Sequence, residues 1–324
     1  MKKFKVVVTD YTYETLNTEK KILSQLDVDF NDYHYRTEDE VINAAKDCDV
    51  LVVQFAPITR RVIKSLTKCR MIVRYAIGVD NIDLEAATEQ GIYVANVPDY
   101  GIDEVSTHTV ALLLSLARKL PESFKMVRDK KWDYSLVKPL RRTMGTQLGL
   151  VALGRIPSAI ARKMSGFGMN IVAFDPYVNK EYADSLGVRL VSFDELIAAS
   201  DYVSIHCPLT NETRGMFNMS VFEKMKKTAI LINTARGPIV NERDLAIACE
   251  KKIISAAAID VTEKEPIPHD SPLLKLDNVF ITPHISWYTE ESIESLKTKL
   301  AEEIVRVLKG NVPVNLVNKA VLNK

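Results

Sequence analysis

The segment from Leu148 to Asp175 leaves this chain few folds to choose from. Leu148-Gly149-Leu150-Val151-Ala152-Leu153 is an apolar run of strand length, and Gly154-Arg155-Ile156-Pro157 reads as a turn. From Ser158, apolar residues recur at helical spacing (Ile160, Ala161, Met164), and Asn170-Ile171-Val172-Ala173-Phe174 is a second buried strand ending on Asp175. Strand, glycine turn, helix, strand, acid is the order of a dinucleotide-binding βαβ unit. A glycine lets a pyrophosphate approach the helix N-terminus, where unpaired N–H groups and the helix dipole favour an anion. The acid at the end of the second strand accepts hydrogen bonds from ribose hydroxyls, and Asp175 follows Gly154 by 21 residues, close to the usual spacing.

The glycine fingerprint is eroded. Aligned on Gly154, the pattern G-x-G-x-x-G reads Ala152-Leu153-Gly154-Arg155-Ile156-Pro157, so only the middle glycine, which admits the phosphate, remains. Ala152 must then make the tight turn with a Cβ, at a cost of about 1 kcal/mol if its φ is positive. Pro157 falls in the first helical turn, where a missing N–H is tolerated. On these residues alone, a parallel-sheet protein with one glycine loop and no cofactor stays open.

A chain of 324 residues is long enough for two domains and a substantial core. The net charge of +1 gives no electrostatic footprint for nucleic acid or an anionic membrane. The longest apolar stretches, such as Ala111-Leu112-Leu113-Leu114, are far too short to span a bilayer. Met1-Lys2-Lys3 has the charge of a signal peptide without its apolar core, so residues 4–8 read as a first strand. Cys48, Cys69, Cys207 and Cys249 lack metal-ligand spacing, so no metal site is expected, and reduced thiols of a cytoplasmic enzyme are the economical reading.

Strand-like runs at 4–8, 50–53, 71–73 and 93–95 alternate with helix-prone stretches such as 38–46 and 59–66. This alternation predicts a parallel sheet with crossover helices. Pro98-Asp99-Tyr100-Gly101 breaks it, and an apolar helix follows from about Asp103, a plausible N-cap, to Lys119. Further strands are expected at 202–206, 229–233, 255–259 and 279–281. A last amphipathic helix, 289–309, places Ile293, Leu296, Leu300, Ile304 and Leu308 on one face and stops at Gly310. The expected fold is α/β, with two Rossmann-like doubly wound parallel-sheet domains. One is discontinuous and flavodoxin-like (residues 1–101 and 291–324); the other, 102–290, holds the dinucleotide unit. The chemistry would lie in the cleft between them.

Four further segments make the reading specific: Gly78-Val79-Asp80-Asn81-Ile82-Asp83, Ile232-Asn233-Thr234-Ala235-Arg236-Gly237, Ala258-Ile259-Asp260-Val261-Thr262-Glu263-Lys264-Glu265-Pro266 and Thr282-Pro283-His284. Together, and in this order, they closely resemble the D-isomer-specific 2-hydroxyacid dehydrogenase family over about residues 50–308. Asn96-Val97-Pro98-Asp99-Tyr100 and His284-Ile285-Ser286-Trp287-Tyr288 look more like the C-terminal binding protein branch, which joins this fold to transcriptional corepression in animals. The resemblance implies an NAD-dependent dehydrogenase, usually a homodimer, acting on a small 2-hydroxy or 2-oxo acid. It makes 102–290 the NAD-binding Rossmann domain and 1–101 with 291–324 the substrate domain. The chain is too short for the regulatory domain that some phosphoglycerate dehydrogenases append. An NAD-sensing dimeric interaction protein of the C-terminal binding protein type is the alternative.

Carried onto matching positions, the catalytic set is Arg236, Glu265 and His284. Reduction of a 2-oxo acid needs a hydride at carbon, a proton at oxygen and a grip on the carboxylate. His284 is the expected acid, with Glu265 as the carboxylate that favours its cation. Arg236 follows a buried strand, where a planar guanidinium can hold a carboxylate or polarise a ketone. From residue types alone, His284 could equally cap a strand, and Arg236 could be a solvated surface charge. Backbone N–H groups at Ile77 and Gly78 are expected at the substrate carboxylate. Asp175 argues for NAD over NADP, because a carboxylate repels a 2′-phosphate.

The resemblance adds cofactor contacts at Arg155 and Ile156 (pyrophosphate), at Cys207 and Pro208 (along the adenosine), at Thr213 and Ala235, and at Thr234 and Asp260 (near the nicotinamide). A structural strand-end acid is the plainer reading of Asp260. Tyr100 and Trp287 flank motifs and could shape the substrate pocket; two aromatics there favour apolar 2-oxo acids over 3-phosphohydroxypyruvate. His206 and His108 read as packing residues, and His34 and His269 carry no signal.

Overall fold

In the first hundred residues, five short apolar runs become the strands β1 (Phe4–Val8), β2 (Val28–Asp32), β3 (Val50–Val53), β4 (Met71–Arg74) and β5 (Tyr93–Ala95). The computed structural model describes residues 3–323, so Met1, Lys2 and Lys324, which the expected domain bounds include, lie outside it. These strands form one parallel sheet in the order β2-β1-β3-β4-β5. This is the flavodoxin-like order, in which the strand sequence reverses between β1 and β3. All four residues of β3 are buried, as a parallel sheet covered on both faces requires. The unit comprises the residues up to Gly101 and those from Thr289 onward. The helix Glu290–Leu308 returns the chain to this unit: Thr289 caps it reciprocally with Ser292, and its buried face includes Leu296, Leu300, Ile304 and Leu308.

Residues Ile102–Tyr288 form the second unit. Its strands are β6 (Gln147–Val151), β7 (Asn170–Phe174), β8 (Arg189–Leu190), β9 (Tyr202–Ile205), β10 (Ile230–Asn233), β11 (Ala256–Ile259) and β12 (Val279–Ile281). They pair in parallel in the order β12-β11-β10-β9-β6-β7-β8. Counted from β6, this is the doubly wound 3-2-1-4-5-6 order with a seventh strand added, and ligands bind such sheets at the carboxyl ends of the two strands beside the reversal. Those strands are β6 and β9.

Successive side chains on a strand point to opposite faces, and here both faces are covered. Leu231, Ala257 and Ile259 join one core, whereas Ile232, Ala256 and Ala258 join the other, together with Leu113 and Leu116 of the connector helix Ile102–Ala117. Each fully buried Leu or Ile contributes about 1.5–3 kcal/mol from apolar burial.

Three local readings need correction. β6 ends at Val151, because Ala152 turns at φ 80 and cannot extend the strand to Leu153. Arg155 and Ile156, read as part of the turn, already belong to the dinucleotide helix, which has Gly154 as its N-cap and Pro157 in its first turn, as expected. The connector helix starts at Ile102, which puts Asp103 in the first turn, where an acid favours the dipole, and not at the cap.

Candidate active site

The β6–Gly154–helix turn is built to leave room. Ala152 holds a positive φ, at about 1 kcal/mol, because its N–H donates to Phe174 O at 2.8 Å and ties the turn to β7. Gly154 itself has an ordinary extended conformation, so its backbone does not demand glycine. A Cβ built there would meet no protein atom within 4 Å; it would project into open space before the helix N-terminus. That is where the first-turn N–H groups of Arg155 and Ile156 lack intrahelical partners. Asp175, at the end of β7, accepts from Leu153 N and Tyr177 N, both at 2.8 Å, one to each carboxylate oxygen. The acid therefore also fixes the turn.

Beyond β9, His206 accepts or donates a hydrogen bond with Ser204 Oγ at 2.8 Å, and desolvation pushes its pKa down to about 3, so it is neutral. Cys207 is buried, and desolvation raises its thiol to about 11, which suits packing and backbone contact better than nucleophilic chemistry. Thr213 Oγ1 donates to Pro208 O at 2.7 Å and shapes the loop that follows. Gly154, Asp175 and Pro208 thus lie on the three loops at the sheet's reversal point. The residues present fit a dinucleotide.

A second group of loops follows β10, β11 and β12. Buried Asn233 holds the turn after β10, accepting from Ala235 N and donating to Arg236 O, both at 3.0 Å. Arg236 Nη1 donates to Ala235 O at 2.7 Å. Gly237 packs so tightly on the loop after β11 that a Cβ there would lie 1.9 Å from Thr262 O. This contact sets the Arg236 turn against the loop carrying Glu265.

Glu265 Oε1 accepts from Thr262 N at 3.1 Å, and Oε2 lies 2.7 Å from His284 Nδ1. Burial alone would raise the Glu265 pKa. The hydrogen bond and charge of His284, the Thr262 N–H and the Arg236 charge outweigh burial and hold it below the usual carboxylate value. The His284 and Glu265 side chains keep 36% and 38% of their exposure, so the pair is open to a ligand. His284 has φ 55, a left-handed conformation that is costly for a histidine. Its N–H donates to Asp260 O at 2.8 Å, and the Trp287 indole Nε1 donates to its carbonyl at 2.9 Å. With Nδ1 facing Glu265, Nε2 is left for another partner.

Asp260, expected beside the nicotinamide, is 1% exposed and organises the His284 loop: it accepts from Thr282 Oγ1 (2.5 Å), Ile285 N (3.0 Å) and Ser286 N (2.9 Å). Thr234 shares a 2.9 Å hydrogen bond with Thr109 of the connector helix. Because Thr109 donates its proton to Val105 O, Thr234 must be the donor to Thr109. His108, the residue before, lies 3.1 Å from Thr282 Oγ1. From the sequence His108 read as a packing residue and Thr282 only as part of Thr282-Pro283-His284, while Thr109 drew no reading; the structure joins His108 to Thr282 and Thr109 to Thr234. The signal available was adjacency: a polar His-Thr pair in a helix otherwise apolar from Val110 to Leu114.

The first unit carries Ile77, Gly78 and Tyr100. Asn96 Nδ2 donates to Ile77 O at 2.5 Å and Arg74 Nη1 donates to Gly78 O at 3.0 Å. Among the described residues, no protein group accepts from the Ile77 or Gly78 N–H. Tyr100 is 8% exposed. No cluster of three or more potential metal ligands occurs among the described residues.

The model for the D-isomer specific 2-hydroxyacid dehydrogenase NAD binding domain matches residues 110–286. This chain belongs to that family. The match spans the loops after β6, β7, β9, β10, β11 and β12, so the open turn at Gly154 is part of an NAD-binding domain. D-3-phosphoglycerate dehydrogenase of Methanocaldococcus jannaschii is 43% identical over 87% of this chain and 54% of its own length. Glyoxylate reductase of Korarchaeum cryptofilum is 39% identical over 87% of this chain and 86% of its own. The chain thus spans about half the length of the first relative and most of the second. Among solved structures, D-lactate dehydrogenase of Aquifex aeolicus, complexed with NAD and lactic acid, superposes with a TM-score of 0.86 at 28% identity, covering 94% of this chain and 96% of that one.

Proposed function

We propose that this chain is an NAD-dependent D-2-hydroxyacid dehydrogenase, which transfers a hydride between the nicotinamide and a small 2-hydroxy or 2-oxo acid. The observation that carries the reading is the 2.7 Å contact of His284 Nδ1 with Glu265 Oε2, beside the Arg236 turn. When bound, NAD supplies or accepts the hydride. The chain's own residues handle the proton and the anion. His284 Nε2 gives a proton to the substrate oxygen in reduction and takes it back in oxidation, while Glu265 steadies the imidazolium. Arg236 and the Ile77 and Gly78 N–H groups bind the substrate carboxylate, and Trp287 and Tyr100 shape the space for its side chain. Arg155 and Ile156 N–H groups meet the pyrophosphate; Asp175 takes the ribose hydroxyls; Cys207, Pro208 and Thr213 line the adenosine; Thr234, Ala235 and Asp260 lie by the nicotinamide. In this reading residues 1–101 with 291–324 act as the substrate domain and 102–290 as the NAD-binding domain.

The relatives named above are all dehydrogenases or reductases, which favours catalysis over an NAD-sensing role. A homodimer is part of the proposal. Phe124, Trp132, Tyr134, Leu136 and Met144 are 66%, 89%, 76%, 58% and 64% exposed, an apolar series that a second copy would cover. Four free cysteines fit a reducing, cytoplasmic setting, and among the described residues no helix is long and apolar enough to cross a membrane.

NADH absorbance followed across a panel of 2-oxo acids tests the activity. Turnover of at least one acid is expected, with the reverse reaction confined to D-hydroxy acids and both lost in His284→Ala. No turnover of any acid, or full turnover by the variant, would overturn it. Sedimentation equilibrium tests the dimer.

A further inference from the structure

We propose that His108 is a positioning residue for the acid–base loop, acting through Thr282 and Asp260; this rests on the reading of His284 as the acid–base residue. Thr282 Oγ1 lies 2.5 Å from Asp260 Oδ1, and a carboxylate can only accept, so the single hydroxyl proton of Thr282 points to Asp260. Thr282 Oγ1 therefore can only accept from His108 Nε2, 3.1 Å away, and that nitrogen carries a hydrogen. The order His108 Nε2–H, Thr282 Oγ–H, Asp260 Oδ1 is fixed, and each donor polarises the next.

The carboxylate at the end of this chain holds the loop. Asp260 accepts from Ile285 N at 3.0 Å and Ser286 N at 2.9 Å, the two residues after His284, and its main-chain oxygen accepts from His284 N at 2.8 Å. The loop is held in a conformation it would not choose, since His284 sits at φ 55. The Asp260 side chain is fully buried, and among the described residues the one basic group within ion-pair distance is His108 Nε2, at 3.8 Å. A buried carboxylate needs donors, and the His108 N–H supplies one through Thr282, whose hydroxyl it leaves turned toward Asp260. His108 rides on the connector helix, whose next residue, Thr109, holds Thr234 on the neighbouring loop. One rigid helix thus anchors both loops after β10 and β12, so the imidazole is placed by a group that never meets substrate.

Glutamine tests this, because its Nε2 can stand where the histidine Nε2 stands and donate to Thr282. His108→Ala is expected to lower kcat for 2-oxo acid reduction about tenfold to hundredfold, the scale for a displaced reacting group. The KM for NADH should change less than kcat, since the Gly154 turn that meets the pyrophosphate is untouched and only the Asp260 end of the cofactor site is reached. His108→Gln should recover most of kcat. In hydrogen exchange, the Ile285 and Ser286 amides should exchange faster in His108→Ala than in the wild type, and close to the wild-type rate in His108→Gln. Unchanged kcat and unchanged exchange at these amides in His108→Ala would overturn the proposal, as would equal losses in both variants. Wild-type turnover in His284→Ala would instead sink the acid–base reading, and the exchange of Ile285 and Ser286 would still decide whether His108 holds the loop.

Discussion

His284 Nδ1 and Glu265 Oε2 are 2.7 Å apart on loops that follow two different strands, β12 and β11. Glu265→Gln keeps the shape and removes the charge that favours the imidazolium. The pH profile of reduction is expected to shift in this variant, while His284→Ala loses most turnover in both directions. Glu265 is depressed below 4.5 in the folded protein, so the stability it contributes is present above its unfolded pKa and is lost as pH falls through the lower folded value. The carboxylate side of the pair is thus lost only in acid. A glutamine variant with an unshifted profile would show that Glu265 does not tune His284.

Gly154 and Gly237 are required for different reasons, and substitution separates them. A Cβ at Gly154 meets nothing in the protein, whereas one at Gly237 lies 1.9 Å from Thr262 O. Gly154→Ala should leave the melting temperature within a few degrees and raise the KM for NADH about tenfold or more, by filling the pyrophosphate space. Gly237→Ala should cost roughly 1–3 kcal/mol of stability as the two loops are forced apart, with kcat falling alongside. Thermal melts beside NADH titrations check both. Unchanged NADH binding in Gly154→Ala would remove this turn from the cofactor site.

Most strands were legible because a parallel sheet buried on both faces writes continuous apolar runs; Val50–Val53 and Asn170–Phe174 could hardly be read otherwise. β2 and β8 were not. Val-Asp-Phe-Asn-Asp sits at a sheet edge, half exposed and half polar, and Arg189–Leu190 is too short to show a period. The helix Leu120–Arg128 was also missed: it follows a left-handed Lys119, which breaks the apolar spacing of the helix before it, and none of its residues is buried. In the site, motif residues could be placed by resemblance, but the hydrogen bonds joining His108 to Thr282 and Thr109 to Thr234 span 174 and 125 positions. No local pattern encodes such contacts.

Asp175 meets Leu153 N and Tyr177 N with separate oxygens, which aligns its charge with the end of β7. NADH is expected to be preferred over NADPH by about tenfold to a hundredfold in kcat/KM, the scale of a charged hydrogen bond replaced by repulsion. Asp175→Ser should narrow that ratio and also loosen the Ala152 turn. Equal rates with the two cofactors in the wild type would count against the assignment.

Trp287 carries the last prediction, because its indole has two separable functions. Its Nε1 donates to His284 O at 2.9 Å, and its ring packs edge-on to Tyr288 with centroids 5.9 Å apart. Trp287→Phe removes the donor and keeps most of the ring; Trp287→Ala removes both. If the nitrogen matters, both variants should lower kcat several-fold, since a hydrogen bond holding the strained His284 is worth about 0.5–1.5 kcal/mol. If the ring also shapes the substrate space, only Trp287→Ala should weaken the preference for medium apolar 2-oxo acids over 3-phosphohydroxypyruvate, by on the order of 1–3 kcal/mol in the specificity ratio. Rates of both variants on the two substrates separate these effects. A wild-type preference for the phosphorylated acid, or an unaltered ratio in Trp287→Ala, would leave Trp287 as a backbone anchor and move specificity elsewhere.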